Sequence, residues 1–427
     1  MLALEIFGLF FLIALAGVPL VYALLATTVS TIWIKGFNYP LETIFLSYIS
    51  SVEPFLLIAV PLFIFAGELL SHGGVGIRIV NLSRAVLGFL PGGMGIVTVA
   101  SCLMFGGVSG SALADTAAIG SLVVPAMVGR GYGRPFIAAL LAVAGTLALL
   151  MPLSIPFLVF AFISGTSMRQ LGMAGIIPAV VAALILSLVC AWYGKKTGCD
   201  NGSARSTGLE IWAAFKEAGP ALLMPVIIVG GIWSGLFTPT EAAAVSVVYG
   251  LVVSLALYRD ITWRDLPRML LRALRTSAVV MLIIGATGAL AWLVTAEQVA
   301  VQLAAWVSSV AHEPWQFLLL VNIALLLLGM FIEPLPAMLL TAPLLLPIAQ
   351  AFHINLVHFC VIVTFNLAIA LVHPPVGAAL FISAKLTGVS IGAATRALLP
   401  LLAAMILILL LITYIEPLTL VLIQHSR

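Results

Sequence analysis

A polar segment rich in glycine and hydroxyl side chains, GGVSGSALADTAAIG at residues 106 to 120, interrupts an apolar part of the chain. Its leading glycines predict a sharp backbone reversal, because glycine adopts conformations that a Cβ atom disfavours: Gly106, Gly107 and Gly110. Such a reversal would free carbonyl oxygens to bind a hard cation such as Na⁺. Hydroxyl oxygens that could add to the site are close by: Ser109, Ser111 and Thr116. The competing interpretation is that these small residues let helices pack closely.

Asp115 places an ionisable group in the same segment. A carboxyl group at membrane depth costs about 2.5 kcal/mol or more on insertion scales and usually serves a function. Asp115 could be a cation ligand, a proton carrier or a cap for the helix that resumes near Ser111. The N-terminal end of that helix carries partial positive charge and would favour an anion.

Two proline motifs, MPLSIP at residues 151 to 156 and HPPVG at residues 373 to 377, predict helix breaks that leave carbonyl oxygens free. A second acid, Glu333 in GMFIEP, could contact a cavity or cap a half-helix. Asn366 precedes the second break by one or two helical turns. His373 adjoins that break, where a hydrogen-bonded core histidine is favoured over a proton relay.

Composition defines the class of protein. Of the 427 residues 63% are hydrophobic and 8% are charged, and the mean hydropathy is +1.26, which no soluble domain could cover with polar surface. Apolar runs without strand-like alternation predict an all-α integral membrane protein. The formal charge of +3 gives no reason to expect nucleic acid as a partner. Four cysteines and the histidines show neither a disulfide pattern nor metal-ligand spacing.

The two halves of the chain share one plan. Three residue pairs are each separated by 222 positions: Gly107 and Gly329, Pro125 and Pro347, Pro152 and Pro374. Glycine- or proline-interrupted apolar segments therefore occupy corresponding places in both halves. This pattern is typical of secondary transporters whose binding site lies at the interface between two repeats.

Arginine placement indicates that the two copies are inverted. Arginines flank the first glycine-rich segment, whereas the windows 222 positions later contain no Lys or Arg. Conversely, residues 259 to 275 carry five arginines and their counterpart at 37 to 53 carries no Lys or Arg. Because basic residues concentrate on the cytoplasmic side, we expect opposite orientations in the membrane.

These patterns predict an inverted-repeat secondary transporter with two re-entrant hairpins and two broken helices. The first repeat spans residues 1–194, a cytoplasmic loop 195–217, a linking transmembrane helix 218–240 and the second repeat 241–427. The hairpins are expected at about 94–128, entering from the cytoplasm, and at about 315–350, entering from outside. The broken helices are expected at about 135–167 and 357–388. The N-terminus would be cytoplasmic and the C-terminus periplasmic.

The hairpin tips and helix breaks give two sets of predicted site residues. Na⁺ is the expected coupling ion, with no other cofactor and no transition metal. The predicted cation-binding residues are Gly106, Gly107, Ser109, Met151, Pro152, Ser154, Gly329, His373, Pro374 and Gly377. The predicted substrate-binding residues are Ser111, Asp115, Thr116, Glu333, Pro334, Asn366 and Pro375.

At these residues the sequence resembles the large membrane subunit of tripartite ATP-independent periplasmic (TRAP) transporters. The segments that carry the resemblance are GGVSGSALADTAAIG, GYGRPFIAALLAVAGTL, GMFIEPLPAMLLTAPLLLPIA and NLAIALVHPPVGAALF. The resemblance implies an elevator-type fold whose mobile transport domain holds both hairpins and both broken helices, with Na⁺ coupling, in a bacterial inner membrane. It also implies a small four-helix membrane subunit and a periplasmic binding protein that delivers an organic acid bearing a carboxylate.

One motif departs from the family pattern, and the sequence is compatible with two other functions. The first break usually reads Ile-Pro-Pro-Ser in this family, whereas here it reads Met-Pro-Leu-Ser with the second proline missing. One alternative is an ion-coupled carboxylate or anion transporter of similar architecture that needs no binding protein. The other is an intramembrane serine protease, since residues 107 to 110 read GVSG and Ser109 could be a nucleophile if a histidine lay within reach.

Overall fold

The computed structural model describes residues 2–37, 39–72, 74–152, 154–200, 204–374 and 377–424. Within these ranges the regular secondary structure is helical, with no strand. The α-helices, in chain order, are α1 (Leu2–Leu15), α2 (Leu20–Lys35), α3 (Leu41–Ser50), α4 (Ala59–His72), α5 (Val75–Leu87), α6 (Gly93–Ser109), α7 (Ala112–Gly129), α8 (Arg134–Thr146), α9 (Ile155–Ser164), α10 (Met168–Thr197), α11 (Gly208–Trp233), α12 (Pro239–Leu251), α13 (Leu266–Ala296), α14 (Val299–Val310), α15 (Pro314–Gly329), α16 (Pro334–Ala351), α17 (Leu356–Ala370), α18 (Ala378–Thr387), α19 (Ile391–Tyr414) and α20 (Pro417–Gln424).

Many of these helices are long and apolar enough to cross a membrane. Among the described residues nine candidate spans meet that description, or ten if α14 and α15, bent by 116° at their junction, count as one. Lipid offers no hydrogen bonds to the backbone, so a helix that satisfies its own peptide groups suits the bilayer. The chain is therefore a multi-pass helical membrane protein.

The first pair of helices that leads to the site turns back at a single glycine. Helix α6 continues through Ser109, and Gly110 then adopts a left-handed conformation with φ +62° and ψ 10° before α7 begins at Ala112. Of the three glycines expected to form the reversal, Gly110 does so, whereas Gly106 and Gly107 are helical. Gly106 allows close packing, because a Cβ atom on it would lie 2.6 Å from the Cα of Ala148.

Helices α15 and α16 form the corresponding pair in the second half. Helix α15 ends at Gly329, a turn of four residues follows at 330–333, and Pro334 opens α16. Proline suits the first position of a helix because that residue donates no intrahelical hydrogen bond. Whether either pair is re-entrant in a bilayer, and whether the two halves are inverted, stay predictions.

Each pair is followed by two short α-helices that are not continuous with each other. Helix α8 continues into a 3-10 turn at Leu147–Leu150, and α9 starts at Ile155 with Ser154 as its N-cap. Helix α17 ends at Ala370 and α18 starts at Ala378. The predicted substrate residue Pro375 lies outside the described residues.

A buried acid fixes the end of α10 to the start of α6. The Asp200 side chain is 2% exposed and accepts hydrogen bonds from Arg130 Nη1 at 2.7 Å, from the Met94 N–H at 2.7 Å and from the Tyr132 hydroxyl at 3.2 Å. Burial raises the pKa of Tyr132 far above its usual range, so the phenol stays protonated and donates. This contact network holds the base of the α6–α7 hairpin in place.

Candidate functional site

The turns of the two hairpins meet at one cavity of about 160 Å³, which we call the tip cavity. The first hairpin contributes Ser111 and the second contributes Glu333 and Pro334. The remaining wall comes from the turns and from the two helix breaks: Gly110, Ala112, Leu113, Leu149, Ile155, Pro156, Leu335 and Leu371. Three of the predicted substrate residues are thus brought together by elements more than 200 positions apart in sequence.

Two helix N-termini open onto the tip cavity. Ser111 is the N-cap of α7 and accepts a long hydrogen bond of 3.4 Å from the Ala114 N–H, which leaves Ala112 and Leu113 as the first residues of the helix at the cavity wall. Helix α16 presents the N–H of Leu335, because Pro334 and Pro336 have none. Both ends carry partial positive charge, so the cavity favours an anion.

Glu333 borders two cavities and one groove. Besides the tip cavity, it lines a second cavity of about 50 Å³, here called the arm cavity, together with Gly329, Phe331, Ile332, Ala370, Leu371 and Ala378. It also borders an apolar groove of about 750 Å³ formed mainly by residues of α2, α3 and α13. The residue is exposed and extended, and it makes no side-chain hydrogen bond to cap α16. Its carboxylate is therefore available to a cation in either cavity.

Asp115 lies behind the first tip and does not line the tip cavity. Its side chain is fully buried, and Oδ1 accepts a hydrogen bond from the Ser109 hydroxyl. No described group is hydrogen bonded to Oδ2, which would lie 3.1 Å from a Cβ atom on Gly106. Because Asp115 is in the first turn of α7, the helix dipole also favours its charge. Ser109 and Asp115 thus join the two sides of the turn.

The remaining residues predicted around the first break contact three different helices. A Cβ atom on Gly107 would lie 3.1 Å from the Met151 terminal methyl group. Pro152 packs on Gly172 of α10, and the buried Ser154 hydroxyl caps α9 by accepting from the Phe157 N–H at 3.5 Å. The structure therefore brings the first hairpin and the first break together, as a cation site formed from both would require.

The second break and the second hairpin approach each other at Gly329. A Cβ atom there would lie 2.3 Å from the Cβ of Ala370, so only glycine allows this spacing. A Cβ atom on Gly377 would lie 2.8 Å from the backbone carbonyl carbon of Val372. His373 contacts the Pro374 carbonyl oxygen through Nδ1 at 2.6 Å, a local contact rather than a relay between helices. None of the three residues His373, Pro374 and Gly377 lines the arm cavity.

Two predicted substrate residues lie away from the tip cavity. Thr116 donates to the Ala112 carbonyl oxygen at 2.8 Å and packs against Gly145 of α8. Asn366 donates through Nδ2 to the carbonyl oxygen and to Oδ1 of Asn322 at 3.0 and 2.9 Å. Asp115, Thr116 and Asn366 therefore do not line the tip cavity. Their hydrogen bonds are made within or beside the two hairpins.

Sequence reasoning missed the apolar wall and one polar partner. Leu149, Ile155 and Leu371 line the tip cavity, and nothing in their type distinguishes them from other leucines and isoleucines of the chain. Asn322 lies inside the apolar run LLLVNIALLLL, and a lone amide there is a signal that could have been used. Among the described residues no group of three or more His, Cys, Asp or Glu side chains could hold a metal ion.

Membrane-spanning helices, two hairpins whose turns meet and a cavity between helix N-termini are typical of membrane transport proteins. The family model described as "Tripartite ATP-independent periplasmic transporter, DctM component" matches residues 7–418. The chain belongs to this family and is a TRAP transporter large permease.

Named relatives match nearly the whole chain. It is 36% identical over 436 residues to the C4-dicarboxylate TRAP transporter large permease protein DctM of Rhodobacter capsulatus, covering 99% of both chains. It is 34% identical over 410 residues to the sialic acid TRAP transporter large permease protein SiaM of Vibrio cholerae, covering 95% of both. It also matches the isethionate TRAP transporter permease protein DctMQ of Oleidesulfovibrio alaskensis with 37% identity, covering 96% of this chain and 64% of that one.

A solved structure supports the fold alone. The chain is similar to MtrF of Neisseria gonorrhoeae with a TM-score of 0.53 and 12% sequence identity, covering 87% of this chain and 83% of that one. Identity at this level carries no argument about what is transported.

Proposed function

We propose that this permease imports a small organic acid in symport with Na⁺, and that the tip cavity holds the carboxylate of that acid. The observation that carries the proposal is the convergence of the α7 and α16 N-termini on one cavity. Backbone N–H groups at a helix N-terminus form a ready anion site, and these two come from opposite halves of the chain. A volume of about 160 Å³ corresponds to roughly five water molecules, which suits a small acid.

Na⁺ would bind beside the anion, at the two places where a hairpin contacts a helix break. Near the first hairpin the oxygen ligands would be the hydroxyl groups of Ser109 and Ser154 and the carbonyl oxygen of Met151. Near the second, Glu333 borders both the tip cavity and the arm cavity. A carboxylate beside an anion site is unfavourable unless a cation offsets it, so Glu333 supports a site that binds anion and cation together. Transport would then follow the elevator mechanism, with both hairpins moving as one domain.

We further propose that the permease works in a bacterial inner membrane with a small membrane subunit and a periplasmic binding protein. The family description, tripartite and periplasmic, supports this assembly. The orientation proposed from the arginine distribution places the N-terminus in the cytoplasm and the second hairpin on the periplasmic side, where a binding protein would deliver its ligand.

The alternative functions have less support. Family membership favours a tripartite system over a transporter that works alone. For a serine protease, Ser109 would need a histidine base, but its described hydrogen bonds are to Asp115 and the Ser111 N–H.

Reconstituted uptake tests the proposal. The permease and its small subunit are placed in liposomes, and the organic acid that stabilises the cognate binding protein in a thermal-shift screen is supplied as substrate. We expect uptake only with an inward Na⁺ gradient and with the binding protein present. Equal uptake with choline in place of Na⁺ would contradict the coupling, and uptake without the binding protein would favour a transporter that works alone.

A further inference from the structure

A buried polar network joins α15, α17 and α19 behind the second hairpin. Asn366 of α17 donates to Asn322 of α15, and Asn322 donates through Nδ2 to Thr413 Oγ1 of α19 at 2.9 Å. His358, one end of this network, contacts the Thr413 carbonyl oxygen and the Thr419 hydroxyl of α20. The four residues of this network are each at most 3% exposed: Asn322, Asn366, Thr413 and His358.

The corresponding place in the first half has no such network. Positions 222 residues earlier than Asn322, Asn366, Thr413 and His358 are Ala100, Ala144, Ala191 and Phe136. Apolar side chains therefore occupy the corresponding positions of the first half. A polar group buried among apolar helices is costly unless it is fully paired, so the fold alone does not require the asparagines.

The first hairpin carries its polar contact elsewhere. Ser109 and Asp115 join the two sides of its turn, and their counterparts in the second hairpin are the apolar residues Phe331 and Ala337. Hydrogen bonding thus stabilises the first hairpin at its turn. The second hairpin is instead hydrogen bonded to α17 through Asn322 on α15, about two helical turns before Gly329. The contacts of Ser109 and of Asn322 thus lie at different positions along the two hairpins.

The asparagine contact and the arm cavity lie along the same helix pair. Asn322 precedes Gly329 on α15, and Asn366 precedes Ala370 on α17 by one turn. Gly329 and Ala370 are in close contact and both line the arm cavity. Two amides that fix the rotation and depth of α15 against α17 therefore also fix the shape of that cavity.

We propose that Asn322 and Asn366 are positioning residues that act as a unit and hold the arm cavity in the shape that binds Na⁺. This role rests on the Na⁺ coupling proposed above. Neither asparagine needs to touch the ion or the substrate. Asn366 Oδ1 is buried and accepts no hydrogen bond from any described group, so the two hydrogen bonds that Nδ2 donates to Asn322 are the contacts that orient this amide.

Thermal unfolding of the purified complex in NaCl titrations, with choline chloride keeping ionic strength constant, tests the proposal with Na⁺ alone as probe. The variants are Asn322→Ala, Asn366→Ala and the double alanine variant, which reproduces the residues of the first half. The control is Thr341→Val, since Thr341 lies buried on α16 and its hydroxyl bonds only to its own helix, at Ala337.

We expect the double variant to fold and to need at least tenfold more Na⁺ for half-maximal stabilisation, with Thr341→Val unchanged. Each single variant that folds should show the same shift, because two residues acting as a unit are not additive. The double variant decides the test if a single one fails to fold, since it leaves no unpaired amide. Lower stability in choline with an unchanged Na⁺ midpoint would overturn the proposal, as would additive shifts. A wild-type complex that Na⁺ does not stabilise would overturn the coupling itself.

Discussion

Ser109 donates a hydrogen bond to Asp115 across the turn of the first hairpin, and Asp115 Oδ2 lies close to Gly106. Ser109→Ala would remove the donor and leave a fully buried carboxyl group without its partner. An unsatisfied buried polar group costs about 1–3 kcal/mol. We expect a clearly lower unfolding temperature in detergent, measured by intrinsic fluorescence.

The matched control for this change is Ser121→Ala. Ser121 lies on the same helix, α7, but is exposed and donates only to the Ala118 carbonyl oxygen. Its replacement should leave the unfolding temperature within error of the wild type. Equal effects of the two substitutions would show that the contact across the turn has no special weight.

Gly106→Ala tests the close contact between α6 and the first break. The added methyl group would lie 2.6 Å from the backbone of Ala148, so one helix must shift. Overpacking of this kind costs about 1–3 kcal/mol. Gly230→Ala is the control, because a Cβ atom there meets nothing within 4 Å. We expect the first variant to unfold at lower temperature and the second to match or exceed the wild type; the reverse order would contradict this packing.

Glu333→Gln tests the carboxylate between the two cavities. Removal of the negative charge should weaken Na⁺ binding by about tenfold, equivalent to about 1.4 kcal/mol, and make the tip cavity more favourable for an anion. The measurement is the Na⁺ concentration that gives half-maximal uptake. Glu42→Gln, an exposed acid at the start of α3, should not change it. A normal Na⁺ requirement in Glu333→Gln would remove this residue from the proposed cation site.

Two ion pairs that differ in burial should differ in weight. Asp200 is 2% exposed and paired with Arg130, whereas Asp260, paired with Arg78, is 33% exposed. Breaking a buried pair costs about 3–5 kcal/mol, but an exposed one contributes at most about 1 kcal/mol. Asp200→Ala should therefore lower the unfolding temperature far more than Asp260→Ala. Similar losses would mean that the contact at the base of the first hairpin is not structural.

The sequence was sufficient to predict which segments meet at the site. Glycine and proline disfavour a continuous helix, so the 222-residue offset located Ser111 and Glu333 at corresponding turns, and the structure places both at one cavity. Family membership followed from the same segments. The all-helical architecture followed from composition, since a bilayer permits few other solutions.

Other features depended on tertiary packing that no local pattern records. Gly106 and Gly107 looked like a turn, but their absent side chains serve contacts with Ala148 and Met151 in another helix. Asn366 looked like a cavity residue because it precedes a break. Its amide instead meets Asn322, a partner 44 positions away whose direction depends on how two helices pack. The apolar wall of the tip cavity could not be predicted either, because it depends on how the helices pack.

The measurement that tests the central claim most directly is protection of both hairpin tips by one ligand. Leu113→Cys and Leu335→Cys place a thiol at partly buried positions of the tip cavity, one on each hairpin, and the four native cysteines are buried. Membrane vesicles carrying each variant are labelled with a maleimide, with and without Na⁺ and the transported acid. We predict that both thiols are protected together, and only when Na⁺ and the acid are both present. Protection of one tip alone, or of neither, would contradict a single site formed by the two hairpins.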